Sequence, residues 1–216
     1  MTLELGEKSP VLVFEDARLD KAVGEGSRFL AFNGQGCVLG ARIYVRESVT
    51  EKYLEGLKAR VEGYAASLGV DLFEMSMMPS PLFHSRQKGA VMRFLEQDKK
   101  VVKVVKVATG GNIWGSSGCF VEPTILPKLV EGAEIVRKEV FGPVVVIDTF
   151  KTEEEVLKKA NSTEYGLGAS VYTTDLDRAV RVAGKLEAGT VTVNNTTPFR
   201  PTTPFRGFKS ENFLLL

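Results

Sequence analysis

Residues 144–193 read VVVIDTFKTEEEVLKKANSTEYGLGASVYTTDLDRAVRVAGKLEAGTVTV, and this stretch decides the fold class. Its apolar and β-branched runs predict strands over 144–150, 167–172 and 190–193. Two helical patterns lie between these runs, the first opened by a capping box at Thr152 and the second over 175–186. Strands and helices that alternate with short links predict an α/β fold with an open, mainly parallel sheet flanked by helices.

The first half of the chain repeats this alternation. Residues 10–14 (PVLVF) and 41–46 (ARIYVR) predict strands, and residues 16–32 predict a helix between them. Ser48 and Glu51 form a capping-box pair that predicts another helix, to about residue 68. The whole chain, residues 1–216, is therefore expected to form one α/β domain.

A lysine-rich segment follows a helix predicted over residues 85–97. Between Lys99 and Lys106, lysine alternates with valine as in VVKVVKV, which predicts a half-buried strand with a solvated face. The net charge is +1, from 28 basic and 27 acidic side chains, so we expect no nucleic acid and no anionic membrane as a partner. No apolar run reaches the roughly 18 residues of a transmembrane helix.

The chain has two cysteines, Cys37 and Cys119, and one histidine, His84. The first residues lack the basic and apolar regions of a secretory signal. We therefore expect a cytoplasmic protein in which the cysteines are thiols rather than a disulfide. So few histidine and cysteine ligands predict no metal site.

Cys37 ends a glycine-rich turn, residues 32–37 (FNGQGC). Glycines beside a thiol leave room for a substrate and a cofactor to approach the sulfur, because they have no Cβ atom. A lone cysteine is nevertheless more often a small buried apolar residue than a nucleophile. The turn alone does not assign a reaction, and the surrounding motifs are needed.

The turn resembles the cysteine signature of aldehyde dehydrogenases, G-Q-x-C closely following F-N, and residues 3–10 (LELGEKSP) resemble their glutamate signature, E-L-G-G-K-S/N-P/A. Further segments follow in the family's order and spacing: 119–124 (CFVEPT), 138–143 (KEVFGP), 165–167 (YGL), 174–175 (TD), 189–194 (GTVTVN) and 204–209 (PFRGFK). Because the series covers nearly the whole chain, the sequence is similar to the catalytic half of an aldehyde dehydrogenase.

The resemblance implies that Cys37 is the nucleophile and Glu4 the general base in the oxidation of an aldehyde to a carboxylic acid. A thiolate adds to the carbonyl, and the resulting thiohemiacetal oxyanion releases hydride to a nicotinamide and leaves a thioester. A carboxylate then activates the water that cleaves the thioester. The resemblance also implies NAD or NADP as cofactor, with Glu139 on the nicotinamide ribose and Phe141 beside the ring.

Relative to the family, the resemblance implies a chain truncated at both ends. The family's main cofactor domain precedes the glutamate motif, and the family continues with a helix and a dimer-pairing strand beyond residues 213–216. The cysteine turn is about one residue shorter than the family's, between Asn33 and Gly34. Glu7 stands where the signature has its second glycine, which adds a carboxyl group beside Glu4.

Three functions stay open on these residues. The first is an NAD(P)-dependent aldehyde dehydrogenase that acts on a small aldehyde, although we expect the isolated chain to be poorly active. The second is a cofactor-free thioesterase or esterase that uses Cys37 and Glu4. The third is an inactive family member that forms a homo- or hetero-oligomer with a full-length relative.

Overall fold

The computed structural model describes residues 5–70, 80–101, 107–128, 132–196, 202 and 204–211. Six strands form one sheet in the order β3-β4-β2-β1-β5-β6, and all neighbouring strands are parallel. The strands are β1 (Pro10–Val13), β2 (Arg42–Arg46), β3 (Thr124–Pro127), β4 (Val144–Phe150), β5 (Gly168–Tyr172) and β6 (Thr190–Val193). The predicted open parallel α/β sheet is confirmed.

Helices cover both faces of this sheet. They are α1 (Leu19–Gly26), α2 (Thr50–Ala65), α3 (Ser85–Val101), α4 (Glu134–Arg137), α5 (Glu153–Asn161) and α6 (Leu176–Ala183). In β1, Val11 and Val13 pack in the cluster formed with α1 and α2, whereas Leu12 and Phe14 pack in the cluster formed with α5 and α6. A strand covered on both faces needs a continuous apolar run, which is the pattern that the sequence shows. In the described segments, no helix combines the length and apolar character needed to cross a membrane.

The two predicted capping boxes have different outcomes. At the start of α5, the Thr152 hydroxyl accepts a hydrogen bond from the Glu155 N–H at 3.1 Å, which confirms Thr152 as the cap, but the Glu155 carboxylate accepts the N–H of Lys151, at 2.8 Å, in place of that of Thr152. The second, at Ser48, is wrong because Glu47–Val49 form a 3-10 helix. Helix α2 begins at Thr50, whose hydroxyl donates back to the Arg46 carbonyl at 3.0 Å.

The helix predicted over residues 16–32 is shorter than expected. Helix α1 ends at Gly26, and a 3-10 helix over Ser27–Gly34 follows, with a break at Ala31. Gly26 is packed so tightly that a Cβ atom there would overlap the hydroxyl of Tyr53. The close approach of α2 therefore requires glycine at the end of α1, and the sequence pattern of α1 alone does not contain this contact.

The strand predicted from Lys99 is wrong over its first residues, because α3 continues to Val101. Residues 102–106 lie outside the described residues. Helix α3 is anchored by Val91, Phe94 and Leu95, which are buried in the core cluster beside β3 and β4. These anchoring residues lie before the predicted end at residue 97, so they hold the helix on the core but do not account for its extension to Val101.

Candidate active site

The candidate residues lie at the amino ends of the inner strands. The segment that contains Glu7 leads into β1, Cys37 precedes β2, and Glu139 and Phe141 precede β4. Because β4, β2 and β1 are parallel neighbours, these three segments meet on one side of the sheet. The sequence predicts Cys37 in a loop near the edge of the sheet, and the structure places it in the loop at the amino end of β2, an inner strand. Ligands of open α/β sheets more commonly bind at the carboxyl ends of the strands.

The turn that leads to Cys37 has an unusual backbone. Phe32, Asn33 and Gly34 have successive φ angles of 51°, 54° and 75°, all in the left-handed region. This run falls where the sequence is about one residue shorter than the family pattern. A Cβ atom on Gly34 would overlap the carbonyl of Gly142, so glycine is required at that point.

The side chain of Gln35 stabilises this turn through hydrogen bonds. Its amide nitrogen donates to the Phe32 carbonyl at 2.9 Å, and its amide oxygen accepts the N–H of Phe83 at 2.9 Å. These bonds tie the turn to itself and to the segment that enters α3. The position of the neighbouring thiol is therefore set by side-chain bonds as well as by glycine packing.

Neither cysteine forms a disulfide, as the sequence predicts. Cys37 and Cys119 are both half-buried. Cys119 packs against the apolar cluster beside β3 and β4, and its backbone carbonyl accepts the N–H of Leu82 at 2.9 Å. The exposed fraction therefore does not distinguish the two cysteines, whereas the residues that surround each of them do.

The loop of Glu139 and Phe141 is held by α3. Phe141 has a φ of 49°, which is strained for a residue with a side chain. Gln87 of α3 donates to the carbonyls of Val140 and Phe141, at 3.0 and 2.8 Å. Hydrogen bonds from α3 therefore hold the loop of Glu139 and Phe141 in this conformation.

Glu139 lines a partly open cavity beside the cysteine turn. Its half-buried carboxylate accepts a hydrogen bond from the Glu7 backbone N–H. Burial raises the pKa of Glu139, and the hydrogen bond from Glu7 and the positive charge of Lys8 act in the opposite direction. The cavity is lined by these residues, by glycines of the cysteine turn and by the loop before β4: Glu7, Lys8, Phe29, Gly34, Gly36, Leu39, Ala41, Glu139, Val140, Phe141, Gly142 and Val144.

The structure therefore brings Glu139 and Phe141 together with the turn of Cys37. Glu4 lies outside the described residues, so its predicted role as general base stays a prediction. In the described segments, no group of three or more His, Cys, Asp and Glu side chains could hold a metal ion.

Two supporting residues escape the sequence-based prediction. Arg42 of β2 is only 2% exposed, and its guanidinium donates to the carbonyls of Lys8, at 2.9 Å, and Ala160, at 3.1 Å. A charged residue inside a strand that is covered on both faces must find buried hydrogen-bond partners, so the sequence could have indicated that Arg42 binds neighbouring backbone carbonyls. Gln87 has no comparable signal, because a single glutamine on an amphipathic helix is most often solvated.

These elements define a parallel α/β domain in which the turn that leads to Cys37 and the loop of Glu139 and Phe141 meet at one cavity. The aldehyde dehydrogenase family model matches residues 1–213. An aldehyde dehydrogenase of Alternaria alternata is 40% identical over 212 residues, and aldehyde dehydrogenase, cytosolic 1, of Rattus norvegicus is 39% identical over 210 residues. These matches cover 98% and 97% of this chain. The chain belongs to the aldehyde dehydrogenase family.

Solved structures agree with this assignment. The NAD+ complex of an aldehyde dehydrogenase from Bacillus cereus superposes with a TM-score of 0.88 at 35% identity and covers 96% of this chain. A betaine aldehyde dehydrogenase from Staphylococcus aureus gives 0.89 at 33% identity and also covers 96%. The chain spans 42% of the Alternaria relative and of both these structures.

Proposed function

We propose that the protein takes part in the NAD(P)-dependent oxidation of an aldehyde to a carboxylic acid, with Cys37 as the nucleophile. The observation that carries this proposal is the meeting of the cysteine turn with the loop of Glu139 and Phe141 at one cavity, in a chain of this family. A small aldehyde is the proposed substrate, and the cytoplasm is the proposed location.

The reaction requires a soft nucleophile and a base. The sulfur of Cys37 adds to the aldehyde carbon, and the carbonyl oxygen becomes an oxyanion. Collapse of the oxyanion expels hydride and leaves an acyl thioester on Cys37. Glu4 then takes a proton from water, which attacks the thioester, so that the acid leaves and the thiolate returns.

The residues before β4 fit the nicotinamide end of the cofactor. The half-buried carboxylate of Glu139 would accept hydrogen bonds from the ribose hydroxyl groups, and Phe141 would border the ring. A bound nicotinamide would supply the acceptor for the hydride. Gln87 donates to two backbone carbonyls of this loop, and these bonds support the backbone that carries both groups.

We further propose that the adenosine and pyrophosphate need a surface that the 216 residues do not supply. The chain spans 42% of the Bacillus cereus aldehyde dehydrogenase whose structure is a complex with NAD+. An oligomer with a full-length relative is one arrangement that would provide the remaining surface.

A hybrid enzyme tests the proposed function. Residues 1–216 replace the matching segment of the Bacillus cereus relative, and NADH formation is followed by absorbance with a panel of aldehydes. We expect turnover by the hybrid, loss of turnover in Cys37→Ala and retained turnover in the matched control Cys119→Ala. A folded hybrid that binds NAD but oxidises no aldehyde, or that survives Cys37→Ala, would contradict the proposal.

A further inference from the structure

Glu7 is a buried carboxyl group in the cavity of Glu139. It is 3% exposed and lines the same cavity as Glu139 and Phe141. The hydroxyl of Ser9 donates a short hydrogen bond to its carboxyl, and its own backbone N–H donates to Glu139. The glutamate signature has glycine at this position, so the family pattern assigns no role to the side chain.

Burial penalises the charged form of both carboxyl groups of this cluster. Two carboxyl groups, Glu7 and Glu139, lie near the ammonium group of Lys8, which is 1% exposed. Burial raises the pKa of Glu7 well above its ordinary value; Ser9 and Lys8 lower it, and the charge of Glu139 raises it further. Glu7 is more deeply buried than Glu139, so Glu7 is the group that holds the proton.

We propose that Glu7 is a specificity-determining residue that favours the oxidised, cationic nicotinamide ring over the neutral reduced ring once its carboxyl group ionises. The inference rests on the proposed function, because it takes this cavity to be the nicotinamide site. The two forms of the nucleotide differ by one unit of charge on the ring, so an added carboxylate acts on one of them far more than on the other. A carboxylate within about 10 Å of a cationic ring would, at an effective dielectric constant of about 20, change affinity by more than tenfold before screening by salt.

Other ionisable groups lie around Glu7, and the experiment must distinguish their electrostatic effects from the effect of Glu7. Tyr165, in the loop before β5, and Glu187, in the segment before β6, line a second cavity that Glu7 also borders. Glu187 is paired with Lys209 at 2.8 Å. The charged or titratable groups facing this region from the described elements are Lys8, Arg42, Glu139, Tyr165 and Glu187.

The binding test uses the 216-residue chain with oxidised and reduced nicotinamide mononucleotide, measured by NMR titration at pH 6.5 and pH 9. We expect the ratio of the affinities, oxidised over reduced, to rise at least threefold between these pH values. Glu7→Gln keeps the size of the side chain but cannot ionise, so its ratio should stay constant. Glu187→Gln, a control that removes a different nearby charge, should behave like the unchanged chain.

A second readout needs no nucleotide. In a carboxyl ¹³C NMR titration, Glu7 should stay protonated while Glu139 ionises, and Ser9→Ala should move the Glu7 midpoint upward. A constant affinity ratio in the unchanged chain, or a Glu7 midpoint near that of an ordinary glutamate, would overturn the inference alone. Absence of binding of both nucleotides to every variant would overturn the nicotinamide site of the proposed function, and this inference with it.

Discussion

Gly34 lies directly against the carbonyl group of Gly142, in a space that no Cβ atom could share. The contact joins the turn before Cys37 to the loop that carries Glu139 and Phe141. Gly34 also has a φ of 75°, which side-chain-bearing residues rarely adopt. The geometry of the candidate site therefore depends on a residue that has no side chain.

Replacing Gly34 by alanine should destabilise the fold by at least about 2 kcal/mol, because both the φ angle and the overlap with Gly142 oppose a methyl group. Gly63→Ala is the matched control, since a Cβ atom on Gly63 in α2 would meet nothing. We expect that control to stabilise the protein by about 0.5–1 kcal/mol. Urea unfolding of both variants measures the difference, and equal effects would contradict the described contact.

The contrast between Gly34 and β4 shows what the sequence could predict. The bounds of β4 and β6 match the prediction because their apolar runs and short links are local signals. The Gly34–Gly142 contact joins residues far apart in sequence, so no local pattern contains it. Glu7 was recognised as a departure from the motif, but its burial depends on tertiary packing of the loops before β1 and β4.

Asp16, which follows β1, is bonded to the start of α6. Its carboxylate accepts hydrogen bonds from the hydroxyl of Thr173 at 2.7 Å, from the N–H of Thr174 at 2.8 Å and from Arg178 at 2.8 Å. Burial acts to raise the pKa of Asp16, but the hydrogen bonds from Thr173 and Thr174 outweigh it and lower the pKa to about 2. This stabilisation is fully present above the ordinary aspartate pKa of about 3.9 and is lost as the pH falls towards 2.

Asp16→Asn should therefore destabilise the protein by roughly 2 kcal/mol at pH 7, through the loss of hydrogen bonds to a charged group. The difference from the unchanged chain should shrink as the pH falls from about 4 towards 2. Asp20→Asn, at an exposed position of α1, is the control and should have a smaller effect. Chemical unfolding across this pH range gives the answer, and a difference that does not vary with pH would rule out the assigned role.

The 216-residue chain alone should bind NAD weakly, with a dissociation constant well above micromolar. Glu139 and Phe141 can contact only the nicotinamide end, so most of the free energy gained from these few contacts offsets the loss of translational and rotational freedom, at least ~4 kcal/mol, and only weak binding remains. Calorimetric titration with NAD, beside the Bacillus cereus relative as a positive control, measures this. Micromolar affinity would mean that this chain holds the rest of the cofactor on a surface not identified above.

Cys37 should react faster than Cys119 with iodoacetamide at neutral pH. Cys37 lies in a turn of glycines beside the cavity, whereas Cys119 packs against an apolar cluster. Peptide mass spectrometry over a time course compares the two thiols within one sample. Faster labelling of Cys119 would reverse the assignment of the two cysteines.

Acylation by an activated ester tests the central claim, the nucleophilic role of Cys37, most directly. The chain is mixed with p-nitrophenyl acetate at neutral pH, quenched in acid and digested, and the acetylated residue is identified by mass spectrometry. The account predicts acetyl thioester on Cys37, its absence in Cys37→Ala and its persistence in Cys119→Ala. Acetylation of Cys119 instead, or of neither cysteine in a folded chain, would contradict it.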